Sequence, residues 1–263
     1  MKILALGDLH GKFPQKIKKI SKDIDLILLT GDLGKADLMR KMAFQNIKRQ
    51  KKGLEEIEYN SIQKKKAYME AYNSTIKIIS QLAKISPVFL VYGNVESTNS
   101  ETKQMIREIK LNLPVLSTKL SKIKNVKVIN NKLVNFKGIK IAGIKYFIDE
   151  SWVKEFKPEE YKESLKEARK ESQKVSKILN KFNQVDILLT HQPPYKILDR
   201  VGKGAPKHWQ GKHAGSRTIL NYIKKRQPKY VICGHIHEAD GTKKLDKTTI
   251  HNLGLREFKI INL

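Results

Sequence analysis

Short apolar runs alternate with amphipathic stretches through the first ninety residues. Lys2–Leu6 and Leu26–Thr30 are apolar runs of strand length, the second bounded by Gly31-Asp32, and Pro87–Tyr92 is a third that runs into Gly93-Asn94. Phe13–Ile20 has helical spacing with Pro14 at its start, and Lys35–Lys52 and Ser61–Ile85 also read as helices. In the last of these Ile62, Met69, Tyr72, Ile76, Ile79 and Ala83 recur at sevens, threes and fours, and Ser61 is placed to cap the start. Strands alternating with helices predict an α/β layer arrangement.

The middle of the chain reads as more β-like. Val126–Ile129, Lys132–Phe136 and Ile139–Ile144 are separated by Asn130-Asn131 and Gly138, a pattern that predicts antiparallel hairpins. A long helix is expected over Pro158–Phe182, with Tyr161, Leu165, Ala168, Val175, Leu179 and Phe182 on one face. Val185–Thr190 is a buried strand ending at His191, Val201–Gly215 reads as a loop, Ser216–Arg226 as a helix and Tyr230–Cys233 as a strand. Thr248–Asn252 and Phe258–Leu263 close a β-rich tail. Without a repeat or a Gly/Ser/Pro-rich linker, residues 1–263 are expected to form a single domain.

Composition narrows the class. Forty per cent hydrophobic residues supply a sizeable core and argue against wholesale disorder. The one cysteine, Cys233, rules out an internal disulfide and fits a reducing interior, and the expected location is the cytoplasm. The apolar stretches are too short to span a bilayer, and Met1-Lys2 leads directly into a strand rather than a secretory signal, so no membrane partner is expected. The net charge of +27 attracts polyanions and keeps nucleic acid open as a partner. The lysines, however, are spread over the chain (Lys16–Lys22, Lys48–Lys52, Lys64–Lys66, Lys119–Lys127, Lys224–Lys229, Lys243–Lys247) and mostly alternate with apolar positions, as on solvated helix faces. Oligomeric state is not legible, a homodimer being one option.

The residues that carry chemistry sit at the C-terminal ends of the expected strands. Asp8 and His10 follow the first in Gly-Asp-Leu-His-Gly, Asp32 the second in Gly-Asp-Leu-Gly, and Asn94 the third in Gly-Asn-Val-Glu; His191 follows Ile187–Thr190, and His235 and His237 follow Tyr230–Cys233 in Gly-His-Ile-His. Ligands of α/β sheets gather at strand carboxyl ends, alternate residues of an extended segment project to the same side, and the neighbouring glycines permit close backbone approach. Two Asp, four His and one Asn are enough to hold two divalent cations. Each block alone is a common turn signal; five blocks in this order point to a metal centre.

Gly-Asp-x-His, Gly-Asp, Gly-Asn-x-Glu, a strand-end His and Gly-His-x-His resemble the signature of calcineurin-like metallophosphoesterases, from Asp8 to His237. Leu-Leu-Thr-His-Gln-Pro-Pro-Tyr together with Gly-His-Ile-His-Glu (residues 234–238) is similar to the subgroup of metallophosphoesterase-domain proteins and class III cyclic-nucleotide phosphodiesterases. The resemblance implies a four-layer α/β/β/α sandwich of two mixed β-sheets flanked by helices, here with a helical insertion at about residues 35–85. It implies that Asp8, His10 and His237 hold one metal, that Asn94, His191 and His235 hold another, that Asp32 bridges them, and that a hydroxide between the two attacks phosphorus in line. Imidazole and carboxylate donors suit Mn, Fe, Zn, Co or Ni better than Ca.

Val95 departs from the pattern, since many relatives carry there a histidine thought to protonate the leaving group. Valine has no proton to give, which tilts the expected substrate toward phosphodiesters or activated esters. His213, just before the expected helix start at Ser216, is a candidate catalytic and substrate-binding residue, and Ser216 a second candidate phosphate contact at that helix N-terminus. His251 and Cys233 are expected to be structural. The reading is a dinuclear metal-dependent phosphoester hydrolase, a phosphodiesterase before a monoesterase. A nuclease is the alternative within chemistry, and a metal-binding interaction scaffold with weak turnover the alternative outside it.

Overall fold

The computed structural model describes residues 1–15, 17, 23–50 and 52–263. Eleven strands lie among them: β1 (Lys2–Leu6), β2 (Leu26–Leu29), β3 (Val88–Leu90), β4 (Val126–Val128), β5 (Lys132–Phe136), β6 (Ile139–Ile144), β7 (Ile187–Thr190), β8 (Tyr230–Cys233), β9 (Gly241–Leu245), β10 (Thr248–Asn252) and β11 (Phe258–Asn262). One sheet has the order β11-β1-β2-β3-β4 and the other β5-β6-β7-β8-β10-β9. Both are mixed: β1, β2, β3 and β4 run parallel with β11 antiparallel on β1, and β6, β7, β8 and β10 run parallel between antiparallel β5 and β9.

The two-residue period of a strand sorts its side chains between layers. In β1, Ile3 and Ala5 pack into the interior between the sheets, whereas Leu4 and Leu6 face outward onto α2 (Ser61–Leu82) and α4 (Leu116–Leu120). In β8, Ile232 joins the interior, while Val231 and Cys233 face α6 (Tyr161–Asn180) and α7 (Arg217–Arg226). Burial on both faces is why these strands read as unbroken apolar runs rather than alternating ones. The result is the expected α/β/β/α sandwich. Its insertion consists of α1 (Asp37–Gln50) and α2, and α3 (Asn99–Ile109) and α5 (Glu150–Phe156) are two further helices.

Several expectations are corrected. The hairpin expected between Val126–Ile129 and Lys132–Phe136 does not form: β4 pairs parallel with β3 in one sheet, and β5 pairs with β6 in the other. The chain changes sheets between them, with Asn131 at φ 56° and Asn130 Oδ1 accepting the Tyr92 backbone N–H at 2.8 Å. The turn at Lys137-Gly138 does close a hairpin, both residues having positive φ (50° and 87°), as the twist of two-residue hairpins favours. Helix α2 is capped by Asn60 rather than Ser61, in a reciprocal capping box with Gln63. Its buried face runs through Tyr68, Ala71, Thr75, Ile78, Ile79 and Leu82, and Ile62 is exposed. Helices α3, α4 and α5 were not expected. The Phe13–Ile20 helix and the Lys16–Lys22 cluster fall largely outside the described residues.

Leu28 is fully buried in the interior between the sheets. Leu28→Ala should cost about 3 kcal/mol of unfolding free energy, read as a lower denaturant midpoint at unchanged slope.

Candidate metal centre

The seven residues singled out by their strand-end positions come together along one edge of the sandwich. Asp8, His10, Asp32 and Asn94 are supplied by loops after β1, β2 and β3 of the first sheet; His191, His235 and His237 follow β7 and β8 of the second. The ring nitrogens face one another closely: His10 Nε2 is 3.3 Å from His237 Nε2, and His191 Nε2 is 3.1 Å from His235 Nδ1 and 3.0 Å from Asn94 Oδ1. Asp8 Oδ2 lies 3.2 Å from His237 Nε2, and donor atoms of Asp8, His10 and His237 form one tight group while those of Asp8, Asp32 and His191 form another. Asp32 reaches both halves, Oδ2 being 3.8 Å from His10 Nε2 and Oδ1 3.7 Å from His191 Nε2.

The loops are forced into this shape. His10, Asp32 and His235 all have positive φ (42°, 50° and 69°), an uncommon conformation for residues with a side chain. A Cβ on Gly93 would sit 2.2 Å from Asp32 Oδ1, and one on Gly234 2.3 Å from Asp8 Oδ1, so both carboxylates rest directly on glycine backbone. Glu96 holds the arrangement from behind. Its buried carboxylate accepts the backbone N–H groups of Asp32 (2.8 Å), Leu33 (2.7 Å), Gly34 (3.3 Å) and Gly93 (3.0 Å). Glu96 is visible in the sequence as the last residue of Gly-Asn-Val-Glu, but nothing there marks it as the anchor of a different loop. Tyr146, also unforeseen, sets its ring 5.6 Å from His191 and 5.2 Å from His235.

The electrostatics suit a cation. Burial and the Arg40 guanidinium beside it lower His10 to about 4, and burial together with the neighbouring His191 lowers His235 to about 3, so both rings are neutral with lone pairs available. Burial pushes Asp32 up to about 7, reinforced by the Asp8 and Glu96 carboxylates and opposed by His191. Burial works against a charged His191, yet the Asp32 and Asp8 carboxylates outweigh it and raise that ring. Its Nδ1 faces the Thr30 carbonyl at 2.9 Å, the hydrogen bond by which a ligating histidine fixes its other nitrogen toward a metal. A cation binding to this donor set competes with its protons. Neutral imidazoles, carboxylates and one amide oxygen fit divalent transition metals.

The other sequence candidates have partners of their own. Ser216 is fully buried, caps α7 by accepting the Ile219 N–H at 3.0 Å, and donates to Asp149 Oδ2 at 2.7 Å; its hydroxyl is committed to the fold and does not face a substrate. His213 is held at Nδ1 by the buried Asp199 carboxylate (2.7 Å) and packs on Tyr195. Val95 donates its N–H to Asp32 Oδ1 at 2.9 Å, while its side chain is buried against Ala36, Met39 and Ala71 beneath the insertion. His251 is buried with Nδ1 2.8 Å from Thr242 Oγ1, and burial raises the Cys233 thiol far above its ordinary range, so both are structural.

A family model described as calcineurin-like phosphoesterase matches residues 1–239. The UPF0046 protein C25E10.12 of Caenorhabditis elegans is 35% identical over 32% of this chain and 31% of its own, and human metallophosphoesterase domain-containing protein 1 is 40% identical over 28% and 23%. The matched part therefore spans less than a third of either relative. An uncharacterized protein, MJ1162, of Methanocaldococcus jannaschii is 28% identical over 96% of this chain and 87% of its own. A solved crystal structure aligns over 99% of this chain and 98% of its own with a TM-score of 0.57 at 15% identity, a likeness of fold.

Two outcomes follow from the geometry. Below about pH 7 the Asp32–His191 pair of the metal-free protein holds a proton that cation uptake must expel. Calorimetry of Mn binding in buffers of different ionisation enthalpy should give roughly one proton released per chain at pH 6 and less at pH 8, with affinity rising with pH. A raised carboxylate stabilises the metal-free fold only while protonated, so that fold weakens as pH climbs through about 7, where bound cations should raise Tm most. Glu96→Gln, which retains one acceptor oxygen for four backbone donors, should cost about 3 kcal/mol and lower Tm by roughly 6–12 °C in a scanning measurement.

Proposed function

The chain belongs to the calcineurin-like phosphoesterase family, and from that premise we propose that it hydrolyses small phosphodiesters with two divalent cations. Asp8, His10 and His237 would hold one cation, Asn94, His191 and His235 the other, and Asp32 would bridge them. The observation that carries this reading is the Asp32 carboxylate, whose two oxygens face opposite halves of the donor set. Bound cations polarise phosphoryl oxygens and lower the pKa of water, the chemistry that in-line displacement at phosphorus needs. The donors suit Mn, Fe, Zn, Co or Ni, with manganese the first metal to try.

The chain's own residues supply the rest. Arg40, on α1 of the insertion, sets its guanidinium 3.1 Å from His10 Nε2, the nitrogen a cation would take. From that position the guanidinium would bind a phosphoryl oxygen and offset the charge that builds on it. No sequence signal pointed to Arg40, because it lies in the insertion, between the motif blocks. The preference for diesters with acidic leaving alcohols rests on Val95, which packs under the insertion and offers no proton to a departing alkoxide. The cytoplasm suits a chain whose lone cysteine is buried, and among the described residues no helix is long and apolar enough to cross a membrane.

The test is a panel of phosphomonoesters, phosphodiesters, DNA and RNA on metal-stripped protein refilled with Mn, Fe, Co, Ni or Zn. Diester hydrolysis with little monoesterase activity is expected; degradation of DNA or RNA in preference to small diesters would favour the nuclease that the +27 charge allows. No turnover with any metal would leave the scaffold reading. Asp32→Asn should reduce metal below two ions per chain and abolish turnover while the far-UV spectrum is kept. Arg40→Ala should lower kcat/KM by roughly 100-fold, with Arg40→Lys recovering part of the loss.

A further inference from the structure

Beside the metal centre a cleft of about 570 Å³ opens between the chain after β6, helices α5 and α6, and the start of α3. A smaller hollow of about 250 Å³ carries Gly93 and Asn94, and the two share Thr98, Glu101, Lys145 and Tyr146 along their walls. Tyr146 is therefore the partition: one side of its surroundings is the pair His191 and His235, and the other is the cleft. The far wall is apolar and aromatic. Ile148 is 46% exposed there, and Trp152 is stacked on Phe156 at a centroid distance of 4.9 Å and an interplanar angle of 19°, which fixes its ring.

The charge of this cleft departs from that of the molecule. In a chain of net charge +27, its walls carry Glu101, Glu167 and Glu171 against Lys145 and Lys174. A polyanion gains nothing from such walls, whereas a flat ring without negative charge gains apolar contact, and a cationic edge on it gains the carboxylates as well. The size falls within the range of pockets that enclose one small organic group.

We propose that this cleft is the subsite for the second ester substituent of the diester, and that the group it takes is a flat aromatic one bearing no negative charge. The proposal rests on the phosphodiesterase reading for the phosphoryl group's position, and its test separates the two. A phosphorus atom held over Asn94 and His191 has one ester oxygen facing Tyr146, and a substituent on that oxygen passes Lys145 to reach Ile148 and Trp152. Substrate selection then lies with Ile148, Trp152 and the charged residues of α6, together with Thr98 and Glu101 just after the Asn94 block.

The chain has two tryptophans, Trp152 and Trp209, so Trp209→Phe leaves Trp152 as the sole reporter. In that protein, metal-free, diphenyl phosphate should change the Trp152 fluorescence saturably and dimethyl phosphate should not. If Trp209→Phe fails to fold, the wild-type signal and its loss in Ile148→Glu give the same answer. With metal present, bis-(p-nitrophenyl) phosphate and methyl p-nitrophenyl phosphate share a leaving group and differ only in the second substituent. The first should have the higher kcat/KM by about tenfold, through KM, and Ile148→Glu should bring the two together. A ratio near one in the wild type, or a ratio that Ile148→Glu leaves unchanged, overturns the subsite while the hydrolase reading stands. A Trp152 response without turnover of either ester upholds the cleft and sinks the hydrolase. A Trp152 response to an oligonucleotide stronger than that to diphenyl phosphate also overturns the proposal.

Discussion

The Glu96 carboxylate gathers four backbone N–H groups from two loops that the sequence separates by about sixty residues. Three belong to the turn after β2 and one to the turn after β3, so a single buried anion sets the distance between the turn bearing Asp32 and the turn bearing Asn94. A carboxylate accepting several backbone donors is the strong form of this interaction, since both partners are satisfied away from water. Without it, the two turns would have four unmet donors beneath Asp32 and Asn94. The Val95 N–H, donated to Asp32 Oδ1 at 2.9 Å, adds a second tie between the same turns.

The cluster also requires the two sheets to stay aligned. Four of its seven residues come from the first sheet and three from the second, so the interior of Ile3, Ala5, Leu26, Leu28, Ile187, Leu189 and Ile232 is what brings the halves face to face. The price is burial of two carboxylates together with His10 and His191, with His235 and His237 half-buried beside them. Burial raises Asp32, its carboxylate raises His191, and three of the seven residues accept positive φ. A fold spends strain and desolvation in this way where the polar atoms have something to bind.

Much of this was legible because buried parallel strands write themselves as unbroken apolar runs, and their ends then locate the ligands: Asp8, Asp32, Asn94, His191, His235 and His237 each follow such a run. The partner sheet of a strand is not written in its own residues. Val126–Val128 and Lys132–Phe136 have the pattern of a hairpin, yet one pairs with β3 and the other with β6, because a register of apolar side chains fits either neighbour. Caps fail for a similar reason. Asn60 and Ser61 are both good capping residues, and Gln63, at the reciprocal position for Asn60, decides between them. Ser216 did prove to cap a helix, but the Asp149 carboxylate, 67 residues earlier, uses the hydroxyl that a phosphate contact would need. Long-range partners such as Asp149 and Glu96 leave no local periodicity behind.

The insertion ties Val95 to the nearby arginine. Ala36, just before α1, Met39 of α1 and Ala71 of α2 cover the Val95 side chain, which is part of an apolar seam. Valine suits that seam, where an imidazole would need a polar partner. The helix that covers Val95 also carries Arg40, one residue beyond Met39, to His10. Lys35, bridged to Asp37 and Glu70 at 3.4 and 3.0 Å, and the Leu38 N–H, donated to Glu70 at 2.9 Å, pin the start of α1 to α2 and so fix where Arg40 emerges. One structural unit thus sets both positions: the Val95 side chain is taken up by an apolar seam, and a guanidinium, which keeps its proton throughout the working pH range, is delivered to His10.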